Sequence, residues 1–192
     1  MKKKIVIING YPGSGKDTFI DICRQLTKVE SVSIIDIVKH IATKAGWNND
    51  KSPKGRKFLC DLKDILTEYN DFPIRDVALS TEEFLMWERD LLFVTMRQPE
   101  DIERFKKVYP EAITLFIRRD KAKVDYEMSE TKNDADSGVE DYNYDYYVYN
   151  DRTLDDLKDC AQAFLTSIQD FAHDGKVHHI LGKPDYTPKE EN

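Results

Sequence analysis

Short apolar runs alternate along this chain with stretches whose apolar residues recur every three or four positions. Ile5-Val6-Ile7-Ile8 is an unbroken run bounded by Asn9-Gly10. A run without polar alternation predicts a strand covered on both faces, as at the centre of a parallel sheet. From 16 to 28 the period lengthens, and Phe19, Ile22, Cys23 and Leu26 fall on one helical face. Ser31 to Ile35 predicts a second strand ending at Asp36, followed by a helix carrying Ile37, Val38, Ile41, Ala42 and Ala45 up to Gly46-Trp47.

After a polar loop from Asn48 to Gly55, the stretch Arg56 to Tyr69 predicts a helix with Phe58, Leu59, Leu62, Ile65 and Leu66 on one side. Another helix is expected over Ile74 to Trp87. Leu91 to Arg97 is a third buried-strand candidate, and Pro99 suits the first turn of a helix ending near Tyr109. Ala112 to Ile117 makes a fourth strand, closing on Arg118-Arg119-Asp120. Residues 120 to 145 carry no helical stripe and predict a polar loop or lid. Tyr146 to Tyr149 makes a fifth strand, and Leu154, Leu157, Ala161, Phe164, Leu165 and Ile168 give a last helix its apolar face. Periodicity ends after His173. Alternating strands and helices predict an α/β, three-layer fold with a mostly parallel sheet of about five strands. One domain over 1–175 and a C-terminal tail over 176–192 are expected.

Composition narrows the partners. The 192 residues carry a formal net charge of -7, which disfavours nucleic acid and anionic membranes. Met1-Lys-Lys-Lys4 precedes an apolar run too short for a signal segment or a membrane span, so a cytoplasmic location is expected. Cys23, Cys60 and Cys160 lie far apart in helical stretches without metal spacing and are read as reduced thiols. His178-His179 would point to opposite faces of a strand, which argues against a shared metal. The tyrosines between Tyr142 and Tyr149 could stack on bases, but no basic groove accompanies them.

The chemistry concentrates between the first strand and the first helix. Gly10-Tyr11-Pro12-Gly13-Ser14-Gly15-Lys16 satisfies G-x-x-x-x-G-K in the strand-loop-helix context that the motif requires. Glycines let successive backbone N–H groups turn around phosphate oxygens, the helix N-terminus adds a favourable dipole, and Lys16 brings a point charge to the β and γ phosphates. The motif's next position is normally Ser or Thr for magnesium; here it is Asp17, with Thr18 after it. Asp17 is a candidate metal ligand and equally a favourable first-turn acid. Thr18 is a candidate contact for an α-phosphate oxygen.

Gly10 to Thr18 resembles the phosphate loop of the nucleoside monophosphate kinases, and its Ser-Gly-Lys-Asp-Thr core is similar to phage-type deoxynucleoside monophosphate kinases and animal-type phosphomevalonate kinases. The strand ending in Arg97, the Arg118-Arg119 pair and the segment Tyr149-Asn150-Asp151 extend the likeness over roughly residues 4 to 170. The resemblance implies a P-loop NTPase fold, an ATP-Mg2+ donor, an acceptor-binding helical segment over about 37–88 and an arginine-bearing lid over about 118–145. It implies that Arg97 holds the acceptor phosphate, that Arg118 and Arg119 neutralise the phosphoryl group in flight, and that Asn150 and Asp151 form the adenine-side loop. Cations around the transferred group suit a reaction whose catalysis is mostly positioning and charge neutralisation.

The chain departs from that pattern on its third strand. Thr95 stands where these kinases tend to have Asp, which leaves Asp36, after the second strand, as candidate metal ligand and acceptor contact; it is also a good N-cap. Lys39, Arg56 and Lys63 are candidate acceptor-phosphate contacts, with Trp47 or Phe72 as stacking surfaces. The expected function is transfer of the ATP γ-phosphoryl group to a small phosphorylated acceptor, first of all a nucleoside or deoxynucleoside monophosphate, with phosphomevalonate open. A nucleotide-dependent switch is the alternative from another class. Either a monomer or a homodimer is compatible with the sequence.

Overall fold

The apolar runs become the strands of one sheet. A computed structural model of the chain describes residues 2–129 and 138–181. In chain order the elements are β1 (Lys4–Asn9), α1 (Lys16–Leu26), β2 (Val29–Ser33), α2 (Asp36–Lys44), α3 (Pro53–Asn70), α4 (Phe72–Met86), β3 (Leu91–Thr95), α5 (Pro99–Val108), β4 (Ile113–Arg118), α6 (Asp120–Glu127), β5 (Tyr146–Tyr149), α7 (Leu154–Ser167) and β6 (His178–Ile180). The strands stand in the order β2-β3-β1-β4-β5-β6, and every pairing is parallel.

β1 lies inside the sheet, between β3 and β4, so it must present apolar side chains both ways. Val6 and Ile8 join Phe19, Ile20 and Cys23 of α1 and Leu157, Cys160 and Phe164 of α7 in one core. Ile5 and Ile7 join Val77 and Phe84 of α4 and Ile102 and Phe105 of α5 in the other. Both cores cover the sheet, giving helix, sheet and helix layers; this is the three-layer α/β P-loop fold. Burial pushes the Cys23 thiol up to about 12 and Cys160 to about 11, as befits core sulfurs.

Local chemistry starts and stops the helices. Ser52 caps α3 by accepting from Gly55 N–H, with Pro53 in the first turn. Thr153 and Asp156 form a reciprocal capping box on α7. Pro99 occupies the start of α5, where its missing N–H costs nothing.

Three differences from the sequence reading have physical causes. The expected tail contains β6, with His178 and His179 opposite Tyr146 and Tyr147; a three-residue polar edge strand has no apolar pattern to betray it. The segment read as an irregular lid contains α6, a helix with one buried residue, Ala122. Residues 130–137 of that lid and 182–192 of that tail lie outside the described residues. The largest difference is in α3, where Gly55 and Lys63 are buried, while Phe58, Ile65 and Tyr69 are exposed.

Candidate active site

Because all six strands run the same way, their carboxyl ends share one edge, where ligands of open α/β sheets bind. Along that edge come Asp36 after β2, Arg97 after β3, Gly10 to Gly15 after β1, Arg118 and Arg119 at β4, and Asn150 with Asp151 after β5. Residues far apart in sequence are thereby set in a row.

The loop after β1 needs its glycines. Gly10 has φ 145° and Gly15 has φ 95°. A Cβ at Gly10 would stand 2.5 Å from the Ile117 carbonyl oxygen and 2.7 Å from Ser14 Oγ, and one at Gly15 would collide with the Asn150 side-chain nitrogen. Ser14 N–H donates to the Tyr11 carbonyl at 3.1 Å, closing the turn. α1 begins at Lys16, so its free N–H groups face the loop with the positive end of the helix dipole.

The cations already sit against the loop. Lys16 Nζ donates to the Gly10 carbonyl, and to that of Tyr11 at 2.9 Å. Arg119 donates to the Gly13 carbonyl at 3.2 Å. Asn150 donates from its amide to the Ser14 carbonyl at 2.8 Å, tying β5's exit to the loop. Ser14 Oγ is buried without a hydrogen-bond partner. A phosphate oxygen would satisfy that hydroxyl, and the loop N–H groups and cations suit a polyphosphate.

A second layer of contacts positions these groups. The Asn9 carboxamide donates to the Arg97 carbonyl at 2.9 Å and to the Tyr144 hydroxyl at 2.7 Å, while its oxygen accepts from Gly10 N–H at 2.8 Å. It thus links the Arg97 segment to the loop. Tyr144 in turn donates to the Val139 carbonyl at 2.7 Å; its burial raises the phenol's pKa. Arg118 Nε lies 3.3 Å from Asp120, the Arg118 carbonyl accepts from Asn150 N–H at 2.8 Å, and Asp151 accepts from Asp120 N–H at 2.7 Å. Burial raises the pKa of Asp151, against the pull of Arg118 and Arg119.

Tyr11, within the loop, packs on Tyr126 of α6 at 5.1 Å between ring centroids and edge-on to Phe116 at 6.4 Å. Its phenol is pushed up to about 12 by burial and by Glu140 nearby. Lys123 of α6 pairs with Glu140 at 2.9 Å. Helix α6 is therefore seated on the phosphate loop itself, a contact invisible to periodicity because α6 has no stripe. Asn9 could have been noticed as the polar residue ending an apolar strand.

The residues expected to contact an acceptor diverge. Asp36 is not a helix cap: it occupies the first helical position of α2, accepting from Ser33 N–H at 3.0 Å and lying 3.9 Å from Lys39. Burial and the nearby Asp36 raise the pKa of Asp76 on α4, while His40 lowers it. Lys63 is turned into the protein, 2.6 Å from Asp101 with side chains 11% and 2% exposed, and it donates to Gln98. It is not brought to the loop. Arg56 is exposed at the start of α3, and Trp47 and Phe72 are half-buried.

Asp17 and Thr18 are exposed in the first turn of α1. Among the described residues no group of three His, Cys, Asp or Glu gathers to hold a metal, and none is needed for a nucleotide-borne Mg2+, which takes its ligands largely from phosphates and water. Asp17, next to Lys16, fits as a single carboxylate toward such an ion. No described helix is long and apolar enough to cross a membrane.

Comparison with known proteins finds likeness in fold. No family model matches the chain, and neither does any curated protein sequence. The crystal structure of TT1252 from Thermus thermophilus matches with a TM-score of 0.54 at 19% identity, covering 88% of this chain and 99% of that one. Weaker matches include the Mycobacterium tuberculosis APS kinase CysC in complex with AMPPNP and APS (TM-score 0.46, 16% identity, 88% and 98% covered) and Acinetobacter baumannii shikimate kinase in complex with shikimate (TM-score 0.45, 14% identity, 88% and 94% covered). The chain spans nearly the whole length of each.

Proposed function

We propose that this chain is an ATP-dependent kinase that transfers the γ-phosphoryl group to a small acceptor, a nucleoside or deoxynucleoside monophosphate before others. One observation carries the reading: Lys16, Arg119, the unpartnered Ser14 hydroxyl and the exposed first turn of α1 converge on a single glycine-turned loop. A switch protein would need a segment that senses the γ-phosphate, and no described segment offers one beyond the lid arginines.

In this reading the loop N–H groups and Lys16 hold the β and γ phosphates. Asn150 and Asp151 border the adenosine. The acceptor oxygen attacks the γ-phosphorus in line as the bond to the ADP oxygen breaks, with Arg118 and Arg119 taking up charge on the equatorial oxygens. Lys16 and Arg119 have only to exchange loop carbonyls for phosphate oxygens. Asp17 would help hold a nucleotide-borne Mg2+, which would supply charge neutralisation at the phosphates. Arg97 and Lys39 would hold the acceptor phosphate, and Arg56 lies at the entrance of α3.

A second reading of the acceptor rests on Asp36 and Asp76. Asp36 lies close enough to add to the burial that raises the pKa of Asp76, and two neighbouring carboxylates repel a phosphate and suit a hydroxyl as hydrogen-bond donor. Under this reading the acceptor is a polyhydroxylated metabolite and Asp36 receives its proton.

The test is an ADP-release assay with ATP and Mg2+ over nucleoside monophosphates, deoxynucleoside monophosphates, phosphomevalonate and unphosphorylated polyols. Stimulation by one phosphorylated acceptor supports the first reading and stimulation by a polyol the second. Slow release that no acceptor changes would sink both.

A further inference from the structure

We infer that Asn9 is a positioning residue for phosphoryl transfer, a role that rests on the kinase reading: its carboxamide sets the spacing between the phosphate loop and Arg97 and ties both to the segment 139–144. The first observation is a buried amide where packing does not ask for one. Ile5 to Ile8 are apolar, and Asn9, the last residue of β1, is 0% exposed. Another Val or Ile would fill that space, and burying an amide costs free energy unless its hydrogen bonds are made.

Here they are made. The Asn9 oxygen accepts from Gly10 N–H at 2.8 Å, and its nitrogen donates to the Arg97 carbonyl at 2.9 Å and to the Tyr144 hydroxyl at 2.7 Å. The Tyr144 hydroxyl gives its single hydrogen to the Val139 carbonyl. Two donors and one acceptor are needed at this point, and a carboxamide supplies them; a carboxylate offers no donor and a hydroxyl only one. The orientation of the amide is fixed too, because a flipped group would set its oxygen against the Arg97 carbonyl.

The second observation is where these bonds fall. Pairing of β3 ends at Thr95 on both sides, with Ile8 and with Ser33, so the ladders of the sheet stop short of Arg97. The Asn9 side chain carries the connection past them. The next residue, Gln98, accepts from Lys63, itself paired with Asp101. Arg97 therefore sits between two anchors, one to the strand that bears the phosphate loop and one to α3. The same amide that holds the Arg97 carbonyl also orders the first peptide of the loop through Gly10 N–H. In-line transfer depends on such spacing, and a misplacement of about 1 Å can cost about a hundredfold in rate. Asn9 touches neither substrate; it acts through the groups that do.

The test is steady-state ADP release with ATP, Mg2+ and the acceptor found to stimulate it, run beside AMPPNP titration and thermal melts of the full-length variants. Asn9→Thr keeps a neutral, strand-forming side chain but puts one hydroxyl in place of the carboxamide. It should lower kcat by about tenfold to a hundredfold while AMPPNP affinity stays within about threefold of wild type. Tyr144→Phe leaves the bonds of Asn9 to Gly10 and Arg97 in place and should lower kcat by a smaller factor; it decides alone if Asn9→Thr does not fold. A lower melting temperature with kcat unchanged in both variants would make Asn9 a structural residue and overturn the assignment, as would a loss lying wholly in AMPPNP affinity. ADP release that no acceptor stimulates in the wild type would overturn the kinase reading and this role with it, whereas stimulated release that both variants retain in full would overturn the role alone.

Discussion

The phosphate-loop edge and the helical segment from α2 to α4 are built on opposite principles. The loop is held by the centre of the sheet: Asn9, Gly10, Ser14 and Gly15 are gripped by residues at or just beyond the ends of β3, β4 and β5, and an added methyl group at either glycine has nowhere to go. The segment α2 to α4 packs on one face of that sheet, keeps much of its apolar surface outside and draws a charged residue inward. If the proposed kinase function holds, chemistry common to every nucleoside triphosphate is met by the rigid region and selection of an acceptor by the adjustable one.

The difference is broken most sharply at Lys16. Lys16→Ala should lower turnover by about a thousandfold or more, since it removes a cation aimed at the transferred group; ADP release measures this and a thermal melt should show the fold intact. Next comes Lys63→Ala, which leaves Asp101 charged and 2% exposed with only the more distant Arg104, at 3.5 Å, beside it. A buried pair broken on one side costs about 3–5 kcal/mol, to be read by chemical denaturation. Lys63→Met together with Asp101→Leu should recover most of that loss, and recovery of stability without activity would mean that Lys63 has a direct role at the acceptor.

Alkaline pH sharpens the comparison at the loop. Burial raises the phenol of Tyr11 to about 12 and also raises Tyr142, Tyr144 and Tyr146. For such groups the stability is fully present below the unfolded tyrosine value near 10 and is lost as pH climbs through the folded values. Unfolding free energy should therefore fall from about pH 10 upward. Tyr11→Phe, which packs the same ring on Tyr126 without an ionisable hydroxyl, should soften that fall.

The smallest effect is expected at Asp76, whose raised pKa means that its charged form weakens the fold at neutral pH. Asp76→Asn should raise the melting temperature slightly. If it also impairs a polyol acceptor, the destabilisation serves binding; if turnover is unchanged with every acceptor, the hydroxyl reading of this edge loses its support.

How legible each region was follows the same divide. Strands β1, β3 and β4 are announced by apolar runs because they are covered on both faces, and the phosphate loop by spacing because backbone geometry leaves few solutions. β6 and α6 escape because one is a short edge strand and the other packs through Tyr126 and Ala122 rather than through a stripe. α3 misleads most: its apolar line reads as a core face, and only three-dimensional packing reveals that Lys63 points inward. Arg119 and Asn150, to which the resemblance gives roles around the nucleotide, bond to loop carbonyls; Lys63, a candidate acceptor-phosphate contact, is held by Asp101 and Gln98.

The parallel order of the sheet also sets a timetable. β1 emerges first in synthesis, yet Lys4 must wait for Leu91 and Val6 for Ile113 before either side of the strand is paired. A local helix can form as it leaves the ribosome; this strand, and the loop that hangs from it, cannot. The loop that would grasp a nucleotide is among the last parts to take shape, so a truncated chain ending before β4 should have no grip on nucleotide at all, and nucleotide protection during refolding should appear only with the final, sheet-closing phase.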